Sequence, residues 1–201
     1  MEEYDASLPA RAWYDPRDHA CLAQLAKAMA TGLQTLAADY ASLRRIGSEL
    51  LGMQPEGVHV GGTWHVLRLK GEGALRELVA REAPHTFAWL QWLDEAVVRV
   101  GTAHFSILAP GAHIRLHCGT TNRRLTAHAV LHPGNASMRV HHEVRRLRAR
   151  QVLIFDDSFQ HESWNDAQAF EERVTLMVQF DHPARGCGEK ACCQDRAADV
   201  N

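Results

Sequence analysis

The chain has 201 residues, 46% of them hydrophobic and 23% charged, which is the length and composition of one globular domain with a full core and excludes disordered, collagen-like and coiled-coil classes. A formal net charge of −2 supplies no overall field to draw the protein onto nucleic acid or an anionic membrane, and the longest apolar stretches, such as Val152–Phe155, have the length of a strand rather than a bilayer span. The acidic start Met1-Glu2-Glu3-Tyr4-Asp5 has none of the apolar run of a secretory signal, so a cytoplasmic protein is expected. Five cysteines (Cys21, Cys118, Cys187, Cys192, Cys193) at uneven spacing argue against a disulfide framework and for a reducing compartment. Thirteen histidines are the unusual feature.

In chain order, Leu22, Leu25, Met29, Leu33 and Leu36 recur at three- and four-residue steps, one buried helix face, within a mostly helical stretch from residue 16 to about 51. Asp15 before Pro16 reads as its N-cap. After Gly52 the pattern turns to period two through Val58, Val60 and Trp64-His65-Val66-Leu67-Arg68-Leu69, then back to helical spacing over 74–83 and 86–100. From Ala103 onward short strands follow one another at 105–108, 113–117, 125–131, 138–142, 151–155, 160–164 and 173–180, separated by turns such as Pro110-Gly111 and Pro133-Gly134-Asn135. That spacing predicts a β sandwich or barrel with helices packed on it. One domain is expected, with a helical segment at 1–52, a β core at 57–183 and a polar, cysteine-containing tail at 184–201.

Most of the histidines, among them His104, lie at element ends or in strands of no clear pattern and receive no role. His113, His117 and His128 sit in apolar strands, and His161 follows the turn Asp156-Asp157-Ser158-Phe159-Gln160. Their surroundings set some of them apart. The order Ser106, Pro110-Gly111-Ala112-His113, His117-Cys118-Gly119-Thr120-Thr121-Asn122, Arg124-Leu125 and His128, continued by Val152-Leu153-Ile154-Phe155-Asp156-Asp157-Ser158-Phe159-Gln160-His161-Glu162-Ser163-Trp164-Asn165, Arg173 and Asp181-His182-Pro183, resembles the aspartyl/asparaginyl β-hydroxylase family. The resemblance covers about residues 60–183 and includes Gly62-Thr63-Trp64 upstream.

The resemblance implies a double-stranded β-helix, a jelly-roll or cupin-like barrel, carrying an iron(II)- and 2-oxoglutarate-dependent oxygenase that consumes dioxygen. It implies His117 and His161 as metal ligands and catalytic residues, and Ser106, His128, Arg173 and Trp64 as the cosubstrate pocket. In most enzymes of this chemistry a carboxylate joins two histidines on one face of the metal. Residues two apart on a strand face the same way, so it would belong at position 119, which is Gly119, as in the family itself. Cys118, between them, is expected in the core. The family's second arginine in Arg-Leu-Arg is Thr126 here, which leaves Arg124 as the substrate-binding residue and removes a cation near the chemistry. Asp156 and Asp157 are expected to bond backbone in their turn, or at most to stand behind the ligands.

The expected reaction is hydroxylation of an unactivated carbon, with the β-carbon of an Asp- or Asn-like residue in a peptide or small natural product as the preferred target. Three alternatives stand beside it: a halogenase with chloride in the gap at Gly119, a jelly roll that binds a metal or anion without turnover, and a structural jelly roll with packed histidines. The basic run from Arg139 to Arg150 reads as the solvated rim of a hairpin, and with no aromatic interleaving it gives no support to nucleic-acid binding.

Overall fold

The computed structural model describes residues 4–46, 52–53, 59–168 and 170–186. Its elements in order are β1 (Trp13–Tyr14), a 3-10 turn (Pro16–Asp18), α1 (Ala20–Ile46), β2 (Gly52–Met53), β3 (His59–Val60), β4 (Trp64–Arg68), α2 (Gly73–Glu82), α3 (Pro84–Ala96), β5 (Val100–Leu108), β6 (His113–His117), β7 (Arg124–His132), β8 (Ala136–Val140), β9 (Glu143–Arg146), β10 (Val152–Phe155), β11 (His161–Asn165), β12 (Arg173–Asp181) and a 3-10 turn (Pro183–Arg185). The strands form a seven-stranded sheet ordered β1-β10-β7-β12-β5-β4-β2 and a five-stranded sheet ordered β3-β6-β11-β8-β9. From β5 the chain alternates between them, with β5, β7, β10 and β12 in the larger sheet and β6, the β8–β9 hairpin and β11 in the smaller. This winding makes the mainly β, double-stranded β-helix that the strand spacing and the resemblance together imply.

Strand alternation assigns each face of the larger sheet a different task. In β12, Val174, Leu176, Val178 and Phe180 point to one side, as do Ala103, Phe105 and Ile107 of β5 and Leu125, Ala127 and Ala129 of β7; all are buried in one cluster with Leu22, Leu25, Met29, Leu33 and Leu36 of α1 and with residues of α2 and α3. The opposite face carries Arg173, Thr175, Met177 and Gln179 of β12, His104 and Ser106 of β5, and Thr126 and His128 of β7. The helices therefore cover one side of the sheet and leave the other to face the small sheet.

Several local expectations are corrected. Asp15 caps the 3-10 turn, accepting from the backbone N–H of Arg17 at 2.9 Å, and α1 begins only at Ala20 because His19 is still extended. The second predicted helix of the β region stops at Ala96, and the strand after it starts five residues before 105, at Val100. The basic run, by contrast, is the expected hairpin rim: it spans the end of β8, a turn in which His141 adopts φ 55°, and the mostly exposed β9. Cys118 is exposed rather than in the core. The expected helix end at 47–51 and the tail from 187 lie outside the described residues.

Leu25 is fully buried between α1 and the sheet. Leu25→Ala should cost about 2–5 kcal/mol in urea unfolding, from lost apolar contact plus the cavity left behind, while the opposite face of the sheet keeps its ligand affinities.

Candidate functional site

Between the two sheets lies a cavity of about 260 Å³, and the lining positions follow from the strand register. Met177 pairs with His104 on one side and His128 on the other, and Gln179 pairs with Thr126. Thr175 pairs with Ser106 on β5, one step along. The polar face of the large sheet is thus assembled from three adjacent strands at one level. The small sheet contributes His117, Ile114, Met138, His161 and Ser163.

His117 and His161 are direct cross-strand partners on β6 and β11, with ring centroids 4.1 Å apart. On the β11 side His161 and Ser163 are two residues apart, whereas their β6 partners His117 and Ile114 are three apart. One extra residue therefore bulges from β6, and this lets Ile114 and His117 both face the cavity while Arg115 and Leu116 are exposed. Each imidazole donates its Nδ1–H to the carbonyl two residues earlier, His117 to Arg115 at 2.7 Å and His161 to Phe159 at 2.9 Å. These bonds fix the tautomer, so both Nε2 atoms carry a lone pair, which is the arrangement metal-bound histidines use. Burial, reinforced by His117, holds the His161 pKa below the ordinary imidazole value, which keeps the ring neutral and able to ligate.

At the other end of the cavity Arg173 is fully buried with no carboxylate against it among the described residues. Its Nη1 donates to Ser106 Oγ at 3.1 Å and Thr175 Oγ1 at 2.8 Å, whereas its Nε and Nη2 have no partner among the described residues. Burial lowers its pKa to about 10, still far above neutrality, so a permanent cation with two unsatisfied donors faces this cavity. Ser106 Oγ also accepts from Trp64 Nε1 at 2.9 Å, so its own proton is left to donate. His128 packs edge-on against Phe155 at 5.2 Å, and its Nε2 likewise lacks a partner among the described residues. Two unsatisfied guanidinium donors and an unpartnered imidazole nitrogen, all buried, are costly unless a ligand completes them.

Gly119 does not leave an open space beside the histidines. Its N–H donates to Asp157 O at 2.6 Å, and a Cβ at 119 would stand 2.7 Å from Asp157 Cγ. Asp157 Oδ2 accepts from Gln179 Nε2 at 2.7 Å and Thr126 Oγ1 at 3.0 Å, and Oδ1, buried, has no partner among the described residues. Asp156, by contrast, caps the β10–β11 turn, accepting from the N–H of Ser158 at 2.9 Å.

The structure thus brings Trp64, Ser106, His117, His128, His161 and Arg173 to one cavity. Arg124 lies outside its lining, at the start of β7, on a neighbouring cavity with Arg123, Thr121, Phe180 and Asp181. Sequence reasoning missed His104 and Gln179. Period two is the signal that finds them, because they stand two residues from Ser106 and from Met177 on strands whose inward face is set. Among the described residues no three His, Cys, Asp or Glu side chains form a metal cage, so a metal here would have His117 and His161 as its protein ligands and take its remaining ligands from a cosubstrate and water. The donor set fits iron(II) with an oxygen-chelating dicarboxylate.

The sequence model of the Aspartyl/Asparaginyl beta-hydroxylase family matches residues 30–183. The chain belongs to that family. It is 31% identical over 179 residues to the aspartyl/asparaginyl beta-hydroxylase of Mus musculus, covering 88% of this chain and 24% of that protein, and 30% identical to the Homo sapiens protein of the same name. It therefore spans about a quarter of the length of these relatives. The ornithine lipid ester-linked acyl 2-hydroxylase of Rhizobium tropici is 33% identical over 126 residues, 61% of this chain and 43% of that one. Among solved structures, a Pseudomonas putida prolyl-4-hydroxylase aligns with a TM-score of 0.46 and 16% identity over 75% of this chain and 87% of that chain.

Two outcomes follow from this geometry. Burial lowers the His104 pKa from 6.5 to about 4, with Arg173 adding to the shift, and His128 and His161 are lowered too. The unfolded chain then takes up protons that the folded one refuses, so stability should fall as pH drops from about 6.5 to about 4, and His104→Gln should flatten part of that slope in urea melts. Gly119→Asp, designed to supply a third carboxylate, should instead destabilise by about 1–3 kcal/mol in thermal melting, because Asp157 already fills the space.

Proposed function

We propose that the chain is an iron(II)- and 2-oxoglutarate-dependent hydroxylase acting on an unactivated carbon of a peptide or small-molecule substrate. The observation that carries this reading is the pairing, in one cavity, of two histidines whose Nε2 lone pairs are fixed with a buried arginine whose donors are unsatisfied. His117 and His161 would hold the metal. Arg173 and Ser106 would hold the distal carboxylate of 2-oxoglutarate, the planar guanidinium offering Nε–H and Nη2–H as a two-toothed donor. His128 would meet the carboxylate at the chelating end. Bound iron(II) with 2-oxoglutarate and dioxygen supplies the oxidation that replaces a C–H bond by C–OH, leaving succinate and carbon dioxide.

The protein's own work is orientation and exclusion of water. Phe155 packs between His128 and His161, at 5.2 and 5.5 Å, and with Trp64 and Met138 it makes the cavity wall apolar. Membership of a family named for aspartyl and asparaginyl β-hydroxylation supports the activity, and the names of both the mouse and the Rhizobium relatives describe hydroxylases. The halogenase alternative needs an anion beside Gly119, where the carboxylate of Asp157 already stands; like charges at contact disfavour it. A purely structural jelly roll would leave Arg173 buried and unpaired with nothing in return.

Anaerobic titration of the protein with iron(II) and 2-oxoglutarate should produce the weak visible charge-transfer band of the chelate. His117→Ala should abolish it. Arg173→Met should keep metal binding but raise the 2-oxoglutarate requirement about 10- to 100-fold, as expected for losing charge-assisted hydrogen bonds. A folded wild-type protein that gives no band overturns the reading.

A further inference from the structure

A concentration of positive charge stands outside the cavity, on the β8–β9 hairpin. Residues 139–150 hold five arginines and one glutamate, a local charge of +4 on a chain whose formal total is −2. Among the described residues β9 pairs with β8 alone and ends the smaller sheet. Leu147 donates its N–H to Ala136 O at 2.9 Å, so by antiparallel alternation Arg145 and Glu143 also turn their backbone groups toward β8. Val144 and Arg146 therefore turn theirs to the open edge, two N–H donors and two C=O acceptors. The side chains divide between two flanks. Met138 and Val140 are buried, so their partners Arg145 and Glu143 lie on the inner flank, where Arg145 stacks over Trp13 at 4.1 Å. The charges lining that flank are paired, Arg145 with Glu143, Asp15 with Arg17 and Asp18 with Arg11. The outer flank carries Arg139, Val144, Arg146 and, one step on, Arg148. Arg139 is held by Glu162, but Arg146 donates to the neutral Asn135, and the exposed Arg148 and Arg150 make no side-chain hydrogen bond or ion pair among the described residues. Arg150 adopts φ 65°, a conformation that glycine would hold without strain.

We propose that the free edge of β9 captures an extended segment of a partner polypeptide as an added strand, with acidic residues at every second position. The backbone groups of Val144 and Arg146 give that strand up to four hydrogen bonds, and its alternate side chains face Arg146 and Arg148 on the outer flank. The remaining side chains face the inner flank, where a carboxylate finds every lining charge already paired, so the geometry asks for alternation and not for charge alone. Arginines along an edge repel a second copy of the same edge and admit a strand of opposite charge. A nucleic acid gains nothing from strand pairing, and Trp13 is covered by Arg145 and closed to base stacking. An anionic membrane needs apolar groups to insert, and the outer flank of β9 offers Val144 alone. The register His161–Val140–Glu143 places β9 two strand spacings, about 10 Å, from the histidine pair. A polypeptide held there lies beside the end of the barrel at which His117 and His161 stand. Under the hydroxylase reading it is the substrate chain, although capture itself does not depend on that reading.

The test follows the fluorescence anisotropy of labelled octapeptides mixed with the full chain, with and without iron(II) and 2-oxoglutarate. An alternating Glu-Thr peptide should bind. A block peptide of four Glu followed by four Thr, equal in composition and charge, should bind about fivefold or more weakly, because half of its carboxylates meet the inner flank. Affinity for the alternating peptide should fall about tenfold between about 50 and about 300 mM salt, as screening of exposed charges requires. Two surface variants separate charge from strand pairing. Arg146→Glu combined with Arg148→Glu should abolish binding by reversing the outer flank. Val144→Pro removes an edge N–H that β8 does not use, and should weaken binding about tenfold with thermal melting unchanged. The inference is overturned if the alternating peptide does not bind, if the block peptide binds equally well, or if either variant, folded by circular dichroism, binds like wild type. Tighter binding of a uridine oligonucleotide or of phosphatidylserine vesicles overturns it as well. The peptide is measured without metal too, so a missing charge-transfer band sinks the hydroxylase reading and leaves this result standing.

Discussion

The burial of Arg173 without a counter-charge is the constraint on which the cavity depends. A guanidinium resists desolvation, and the fold holds it there by making β12 the strand with most to gain on its other face. Val174, Leu176, Val178 and Phe180 seal against the helices, and their burial offsets the cost of turning Arg173 inward. Because β12 is paired on both sides, with β5 and β7, its register cannot slip by one residue without moving four apolar side chains out of the core and the arginine into it. The anion-binding end of the cavity is therefore as firmly placed as the helix-covered core.

The metal end is held differently. His117 and His161 belong to the smaller sheet, whose outer face carries no helix among the described residues, and their orientation comes from carbonyls two residues back in the chain. One side of the cavity is positioned by packing, the other by hydrogen bonds local to each strand. Phe155 spans the two, touching both His128 and His161, and Asp157 reaches from the β10–β11 turn to residues of β7 and β12. The site is a seam between two sheets, which is where a group that must be chelated from one side and anchored from the other belongs.

Much of this was readable in the order of residues, and the reasons for what was not are specific. The strands were legible as alternating or wholly apolar runs bounded by polar turn residues, so β6, β10, β11 and β12 fall within a residue of their expected bounds. Asp15 misled because a cap signal cannot distinguish a 3-10 turn from the helix that follows it two residues later. Cys118 was expected inside because the face opposite His117 and position 119 was taken to be core, whereas on the smaller sheet that face is open to solvent, as the exposure of Leu116 also shows. His104 was passed over because a single polar residue in an apolar strand reads as incidental until its neighbour two places on is known to face a cavity. Arg124 satisfies a motif, yet at the very end of β7 its long side chain is governed by the surrounding loops rather than by the strand. The role of Asp157 depends on a contact with Gly119 from 38 positions away, which no local pattern encodes.

The bulge in β6 has a consequence for how sequences of this kind are to be aligned. The two exposed residues between Ile114 and His117 make no contact that demands their identity; what they supply is number. Remove one of them and the bulge together, and the histidine would stand two residues from Ile114, where regular alternation alone would aim both inward; at the present spacing of three it is the bulge that keeps the imidazole on the cavity side. In this stretch spacing and bulge compensate each other, so a relative one position shorter between the Pro110-Gly111 turn and the histidine is to be aligned with a gap inside the strand, at the bulge, and not at the turn.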